Sequence, residues 1–133
     1  MDATLRPDQR TPEAVVQRQL DAYNGRDIDE FVACYSDHAR LRPLVVRRPT
    51  LRDRASAARL RVRGASAREL IREIYGRLFD DSPALHAEVI ARIVRGDFVI
   101  DHERVTGQNR SSFDIVAIYE VRNGLIMQVW FIE

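Results

Sequence analysis

The feature that most constrains the fold of this chain is a run of four strand-like segments in its C-terminal half. Apolar residues recur in them at every second position or fill the whole segment, which is the pattern of β-strands. Two connections, Gly96-Asp97 and Asn123-Gly124, are typical of two-residue hairpin turns. The segments are Leu85–Arg95, Asp97–Gly107, Phe113–Val121 and Leu125–Ile132. Strands joined this closely predict an antiparallel meander.

Three helices are predicted before the meander, each with a recognisable start. Thr11 is the expected N-cap of the first helix, with Pro12 at the first helical position. Asp27 caps the second helix, and Ser66 caps the third, where Glu69 completes a capping box. Helices followed by a meander predict an α+β domain in which a cone-shaped, curved antiparallel sheet wraps around the N-terminal helices. Such a cone has one open mouth, which suits a small ligand.

The ends of these elements are also predicted. Asn24-Gly25 ends the first helix, and the second helix runs through Cys34 and Tyr35 to Ser36. A weak first strand is expected at Ala39–Val46. The single domain spans 11–133 after a loose segment at 1–10. It contains an exposed Arg-rich loop at about 42–63, in which residues 44–62 are expected to be the most mobile internal segment.

Composition narrows the possible partners. The net charge of +1 favours neither nucleic acid nor a membrane surface, and no stretch reaches the ~20 apolar residues of a membrane span. The only cysteine, Cys34, excludes an intramolecular disulfide and a Cys-based zinc site, and we expect it to be a buried core residue. We therefore expect a soluble cytoplasmic protein without metal or other cofactor.

Two acids on one strand are the main candidates for chemistry. Alternation along Asp97–Gly107 places Val99, Asp101, Glu103 and Val105 on one face and His102 on the other. Desolvation and mutual repulsion in an apolar cone would raise the pKa values of Asp101 and Glu103, so that one acts as acid and the other as base. Two alternatives stay open. An arginine such as Arg92 pairs with the acids and makes them structural, or water solvates them.

Four stretches carry a resemblance to a known family. They are TPEAVVQRQLDAYNGRDIDEFVACYSDHARL, IREIYGRLF, DHERVTG and YEVRNGLIMQVWFI. Together they resemble the nuclear transport factor 2-like superfamily, which has a cystatin-like fold, and within it the ketosteroid isomerase and SnoaL-like (polyketide cyclase) branch. The resemblance covers about 11–41 and 69–133. It specifies the fold better than the activity, because this fold hosts enzymes and plain binding modules.

The resemblance also shows which catalytic residues are replaced. The ketosteroid isomerase positions for the oxyanion-hole Tyr, the general-base Asp and the second oxyanion donor correspond here to Gln19, Pro43 and Ala117. The limonene-epoxide hydrolase triad is also not reproduced, because Asp101-x-Glu103 and Phe131 stand at its positions. The resemblance therefore implies a pocket without the residues of either mechanism.

Our sequence-based hypothesis is a cofactor-free acid–base enzyme, an isomerase, cyclase, dehydratase or hydrolase, acting on a small apolar organic molecule. Asp101 and Glu103 are its predicted catalytic residues. The predicted ligand-binding residues are Gln19, Tyr23, Tyr35, Ile74, Tyr75, Val99, Ala117, Tyr119 and Phe131. The alternatives are a non-catalytic binding or assembly domain and, less favoured, an anion-binding module that uses the Arg-rich loop.

The outer sheet face is predicted to mediate a homodimer. The residues assigned to it are Phe98, Ile100, Ile126, Trp130 and Ile132. This set is too apolar for a solvated surface.

Overall fold

The computed structural model describes residues 5–43, 65–109 and 111–133. A short 3-10 helix at Pro7–Gln9 precedes the main elements. The helices are α1 (Pro12–Asn24), α2 (Ile28–Ala33) and α3 (Ala67–Asp81). The strands are β1 (Tyr35–Pro43), β2 (His86–Arg95), β3 (Phe98–Thr106), β4 (Phe113–Arg122) and β5 (Leu125–Ile132). The predicted α+β class and the four-strand meander are confirmed.

The five strands form one curved, unclosed sheet in the order β1-β5-β4-β3-β2. The meander β2 to β5 is antiparallel throughout, whereas β1 pairs in parallel with β5 at the edge. Both predicted hairpin turns are present, and Asn123 and Gly124 both adopt positive φ values of 53° and 77°, as a type I′ turn requires. The helices lie on the inner face of this sheet and close one side of its core.

The predicted helix starts are confirmed by their capping bonds. Thr11 Oγ1 accepts from the Ala14 amide, Asp27 Oδ1 from the Glu30 amide and Ser66 Oγ from the Glu69 amide, each at 3.2 Å. These bonds satisfy amide groups that the first helical turn leaves without a backbone partner. At the other end of α1, the Asn24 side chain pairs with the backbone of Ala87, through bonds of 2.8 and 3.0 Å. This contact fixes α1 across β2.

The second helix ends earlier than predicted, and the first strand begins earlier. Cys34 is the C-cap of α2, and Tyr35 already belongs to β1. The reason is a tertiary contact, because the Cys34 carbonyl accepts a hydrogen bond of 2.8 Å from the Ile126 amide of β5. Pairing with β5 therefore overrides the helical pattern that the sequence continues through Tyr35.

Bulges in β2 and β5 break the simple alternation of side chains. In β2, Val89 pairs with Glu103 and Ala91 with His102, so Ile90 is an extra residue. Ile93, which alternation from the buried Ala87 would place on the inner face, is consequently 61% exposed. In β5, Met127 is the extra residue, and Ile126, predicted to lie on the outer face, is fully buried in the core. A one-residue insertion reverses every later side chain of a strand, and simple alternation misses it.

The predicted loose segment at 1–10 and the predicted Arg-rich loop each lie partly outside the described residues. Residues 5–10 contain the 3-10 helix, and Arg10 Nη2 donates to the Asn123 carbonyl at 2.9 Å. Residues 1–4 lie outside the described residues. The Arg-rich loop predicted for 42–63 also lies outside them from residue 44 onward.

Candidate functional site

A cavity of about 150 Å³ opens between the helices and one half of the inner sheet face. Helices α1, α2 and α3 supply one wall, and the strands supply the other. The lining residues are Gln19, Leu20, Tyr23, Phe31, Tyr35, Tyr75, Leu78, Glu103, Val105, Gln108, Phe113, Ile115, Tyr119 and Phe131. Glu103 is the only charged side chain among them. The cavity is therefore apolar and aromatic, with a few converging polar groups.

Glu103 lies on the inner face of β3 and is 7% exposed. The Tyr119 hydroxyl donates to its Oε2 at 3.4 Å, which is a long contact for a hydrogen bond. Burial, followed by the nearby charge of Asp101, raises the pKa of Glu103 from 4.5 to about 7, against smaller lowering effects of Tyr119 and Arg92. Glu103 is thus a buried acid that changes protonation state near neutral pH.

Asp101, two residues earlier on the same face, has a different environment. It is fully buried, and Arg92 of β2 binds it in a bidentate fashion, with Nε–Oδ1 at 2.6 Å and Nη2–Oδ2 at 2.9 Å. Arg92 also donates to Gln17 Oε1 at 2.9 Å and lies 3.9 Å from Glu13 Oε2. Asp101 and Arg92 therefore form a closed ion pair that joins β2, β3 and α1.

Four tyrosines surround Glu103 on the cavity wall. Burial is the main cause that raises the pKa values of Tyr23, Tyr35, Tyr75 and Tyr119, so all four hydroxyls stay neutral at physiological pH. The rings of Tyr23, Tyr35 and Tyr75 pack around Phe31, with ring centroids 6.1, 5.3 and 4.7 Å from its own. This packing restricts the rings and leaves neutral hydroxyl groups at the cavity wall.

Gln19 of α1 is the other polar group with an unusual environment. It is 3% exposed, and its Oε1 has no hydrogen-bond partner among the described residues. A buried acceptor without a donor costs about 1–3 kcal/mol. Since Gln19 lines the cavity, a ligand that carries a donor group would remove this cost.

The structure brings most of the predicted ligand-binding residues together. Those that line the cavity are Gln19, Tyr23, Tyr35, Tyr75, Tyr119 and Phe131. Val99 and Ala117 are instead buried core residues outside the lining, and Ile74 is 50% exposed on α3. The pairing of Asp101 with Arg92 matches the structural alternative stated above. The catalytic roles of Asp101 and Glu103 stay predictions.

Several lining residues were not predicted as ligand-binding. They are Leu20, Phe31, Leu78, Val105, Gln108, Phe113 and Ile115. Helical and strand periodicity identifies most of them as core residues. It does not show which core residues line the cavity. Gln108 lies in the loop after β3, and no sequence signal points to it.

Other candidate groups have structural partners. Cys34 is buried, its thiol donates to the Glu30 carbonyl, and burial raises its pKa to about 11. His102 lies on the outer face, as predicted, with Nε2 2.8 Å from Asp114 Oδ2. Within the described ranges, no group of three or more His, Cys, Asp or Glu residues could hold a metal ion. No described helix is long and apolar enough to cross a membrane.

The profile of the SnoaL-like domain family matches residues 16–129, which include every residue of the cavity lining except Phe131. The chain belongs to this family. No curated protein matches the sequence. The SnoaL-like assignment agrees with the curved sheet and the enclosed helices, and it confirms the resemblance inferred from the sequence.

Solved structures of the same fold are similar along nearly the whole SnoaL-like chain. A cystatin-fold protein from Novosphingobium aromaticivorans has 22% identity and a TM-score of 0.72, covering 92% of this chain and 98% of that one. A SnoaL-like polyketide cyclase from Agrobacterium tumefaciens has 14% identity and a TM-score of 0.64, covering 92% and 90%. A protein with a ketosteroid isomerase-like fold from Catenulispora acidiphila, solved in complex with trimethylamine, has 15% identity and a TM-score of 0.65, covering 92% and 86%. At these identities the likeness shows a shared fold.

Proposed function

We propose that this SnoaL-like protein is a cofactor-free acid–base enzyme that binds a small organic molecule in the cavity and transfers a proton through Glu103. One observation carries the proposal: a buried carboxyl group with a pKa of about 7 lies in an aromatic cavity. At neutral pH such a group exists in both protonation states, so it can accept a proton and also return it.

The environment of the two acids favours a mechanism with a single proton carrier. Arg92 binds both oxygens of Asp101, which leaves Glu103 as the available acid or base. One group that takes a proton from one ligand atom and returns it to another suits an isomerisation. The neutral hydroxyl groups of the tyrosines can donate hydrogen bonds to a ligand oxygen that gains negative charge. Cyclisation, dehydration and hydrolysis use the same group as general acid or base.

Asp101 acts as a positioning residue in this proposal. Its charge is the second cause of the raised pKa of Glu103, and its bond to Arg92 fixes β3 against β2. The proposal needs none of the ketosteroid isomerase catalytic positions, since Gln19 and Ala117 occupy two of them. The proton carrier therefore differs from the one in that mechanism.

A second candidate function is a non-catalytic ligand-binding domain. The observation that favours it is the volume of about 150 Å³, which is smaller than the usual ~300–1,000 Å³ of small-molecule sites. One neighbour of the same fold was solved in complex with trimethylamine, a ligand of this small size. A cytoplasmic location stays a prediction for either function.

Proton exchange provides a test that does not require the natural substrate. Ring ketones of about six non-hydrogen atoms suit a cavity of the size that admits benzene. Cyclopentanone and 3-pyrrolidinone should exchange their α-protons with deuterium oxide faster in the presence of the protein, as NMR spectroscopy would record. Glu103→Gln should lower the catalysed rate by about 100-fold or more, the usual effect of losing a general base.

The matched control is Glu120→Gln. Glu120 is also a buried glutamate, at 6% exposure, but it lies outside the cavity and pairs with Arg122 and Gln128. This variant should keep the exchange rate of the wild type. If the protein accelerates no exchange, or if both variants exchange equally well, Glu103 is not the proton carrier and the non-catalytic function is favoured.

We also propose a homodimer formed through the outer sheet face. Ile93 is 61% exposed and Phe98 39% exposed on this face. The Phe98 ring centroid lies 6.4 Å from that of Trp130, and Ile100 and Ile132 are only half-buried beside them. The bulge in β2 adds Ile93 to the predicted set, and the bulge in β5 removes Ile126. The resulting face is still apolar enough to favour burial in an interface.

Sedimentation velocity at micromolar concentration tests the dimer. Ile93→Arg should convert the sedimenting species from dimer to monomer, since a buried unpaired charge opposes association. Ile74→Arg is the matched control, because Ile74 is similarly exposed at 50% but lies on α3, away from the outer face. A wild type that sediments as a monomer would refute the proposal.

A further inference from the structure

We propose that the ligand of the cavity is a small organic cation, a protonated amine of about six non-hydrogen atoms, with its charged nitrogen against Glu103. The inference rests on the proposed function, because it takes the Glu103 cavity as the ligand site. It adds the chemical class of the ligand. Three independent observations support it: the charges at the cavity wall, the aromatic lining and the unpartnered Gln19.

The charge balance of the cavity favours a cation. Glu103 is the one ionisable acid in the lining, and no arginine, lysine or histidine lines the cavity among the described residues. The nearest guanidinium group, that of Arg92, is already bound to Asp101. A buried carboxylate is costly without a positively charged partner, and a ligand cation would supply that partner. A carboxylate or phosphate ligand would meet only repulsion from Glu103.

The aromatic lining favours the same ligand class. Seven of the lining residues are aromatic: Tyr23, Phe31, Tyr35, Tyr75, Phe113, Tyr119 and Phe131. Aromatic faces carry partial negative charge, and clusters of them bind organic ammonium groups in preference to neutral molecules of the same shape. A purely apolar ligand would use the rings equally well but would leave Glu103 without a positively charged partner.

Gln19 gives the third argument. Its buried Oε1 accepts no hydrogen bond from any described residue, so the ligand should bring a donor. A protonated primary amine has three N–H donors, enough for both Glu103 and Gln19. An alcohol has one donor and satisfies one of the two acceptors. The two acceptors thus fit an ammonium group better than a hydroxyl group.

The volume sets the size of this cation. A cavity of about 150 Å³ is comparable to an engineered protein cavity that admits benzene. A single five- or six-membered ring with one amine fits this volume. A steroid or a polyketide chain does not fit it without a change in the cavity wall.

The charged and titratable groups around Glu103 make the binding depend on pH. They are Arg92 on β2, Asp101 on β3, Tyr119 on β4, Tyr35 on β1, Tyr23 on α1 and Tyr75 on α3. The four tyrosines stay neutral and the Arg92 guanidinium is bound to Asp101, so the charge that a ligand meets at the cavity wall is that of Glu103. Because its pKa is about 7, a cation should bind more weakly as Glu103 takes up a proton below this pH.

Isothermal titration calorimetry with a matched pair of probes tests the inference. Cyclopentylamine, protonated throughout the pH range used, and cyclopentanol have nearly the same shape and differ in charge. At pH 8 the wild type should bind the amine at least about tenfold more tightly than the alcohol. Glu103→Gln should reduce this preference to about twofold or less, and Glu120→Gln should leave it unchanged.

A pH series on the wild type needs no variant. Between pH 8 and pH 5, the affinity for cyclopentylamine should fall until its preference over cyclopentanol reaches the value found for Glu103→Gln, while the affinity for cyclopentanol stays constant. Equal affinity for the two probes, no detectable binding of the amine, or a preference that survives in Glu103→Gln would overturn the inference. Ketone exchange that depends on Glu103 would then leave the proposed function standing, whereas a preference for the amine without any exchange would reject the enzyme and keep the ligand class.

Discussion

Asp101 and Glu103 lie two residues apart on the same face of one strand, and both are buried, yet they differ in every other respect. Asp101 has a bidentate partner in Arg92. Glu103 has one long contact from Tyr119 and faces the cavity. The first acid helps to hold two strands and a helix together. The second has a raised pKa and space for a ligand.

The difference originates in the neighbouring strand. If β2 had no bulge and Ile90 paired with His102, Ala91 would lie opposite Asp101 and Arg92 would turn to the outer face. The bulge instead pairs Arg92 with Asp101. A bulge changes which residues share a face, so the bulge at Ile90 brings Arg92 to the inner face, where it binds Asp101. Two acidic residues on one face of a strand can therefore have different roles.

The largest expected effect comes from removing the guanidinium group of Arg92, which binds Asp101. Arg92→Met leaves Asp101 buried without a partner, and loss of one member of a buried ion pair typically costs about 3–5 kcal/mol. The free energy of unfolding, measured by urea denaturation at pH 7, should fall by this amount. The double variant Arg92→Met/Asp101→Asn should recover a large part of the loss, because it buries no unpaired charge.

A surface pair serves as the comparison for this result. Arg104 binds Asp114 on the outer face, where both side chains are well exposed. Arg104→Met should therefore leave the urea midpoint almost unchanged. If Arg92→Met is tolerated as well as Arg104→Met, the Asp101–Arg92 pair does not hold the strands together, and the contrast between the two acids is wrong.

The second expected effect concerns Glu103 and has the opposite sign. Its pKa is about 7 in the folded protein, against 4.5 ordinarily. Below about pH 4.5 both folded and unfolded chains carry the proton. As the pH rises toward 7, the unfolded chain loses it first, so the wild type loses stability, by about 3 kcal/mol in total. Glu103→Gln should not show this loss.

Urea denaturation of wild type and Glu103→Gln between pH 4 and pH 8 measures this effect. The advantage of the variant should grow with pH and level off above pH 7. Glu120→Gln removes a carboxylate that is paired with Arg122, so no such growing advantage is expected there. An advantage for Glu103→Gln that is independent of pH would contradict the raised pKa.

Much of the fold follows from local signals in the sequence. The caps at Thr11, Asp27 and Ser66 and the turn at Asn123-Gly124 each depend on residues within a few positions, and all four are present. The inner face of β3 also follows from simple alternation, because this strand has no bulge between Val99 and Val105. The family resemblance supplied the topology that local patterns leave open.

What the sequence did not predict depends on contacts between distant segments. The early start of β1 follows from pairing between Cys34 and Ile126, and the bulges of β2 and β5 carry no composition signal. The sequence therefore named Arg92 as one possible partner of the two acids but could not assign it to Asp101. Alternation also placed Val99 at the site and the resemblance placed Ala117 there, because a shared face or a family position does not tell where along the strand the cavity opens.

The smallest expected effect concerns the hydrogen bond from Tyr119 to Glu103. The Tyr119 hydroxyl donates to Glu103 Oε2 at 3.4 Å and lowers the pKa of Glu103. Tyr119→Phe should therefore raise this pKa, by less than about one pH unit because the bond is long and the donor neutral. A carbon-13 NMR titration of the labelled glutamate carboxyl groups would measure the shift.

Tyr35→Phe is the control for this measurement. It removes a hydroxyl group from the same cavity wall without removing the bond to Glu103, so it should leave the pKa of Glu103 unchanged. A pKa of Glu103 that falls or stays constant in Tyr119→Phe would mean that the Tyr119 hydroxyl does not stabilise the ionised carboxylate. Glu103 would then lack the hydrogen bond from Tyr119, whereas Asp101 keeps its two bonds from Arg92.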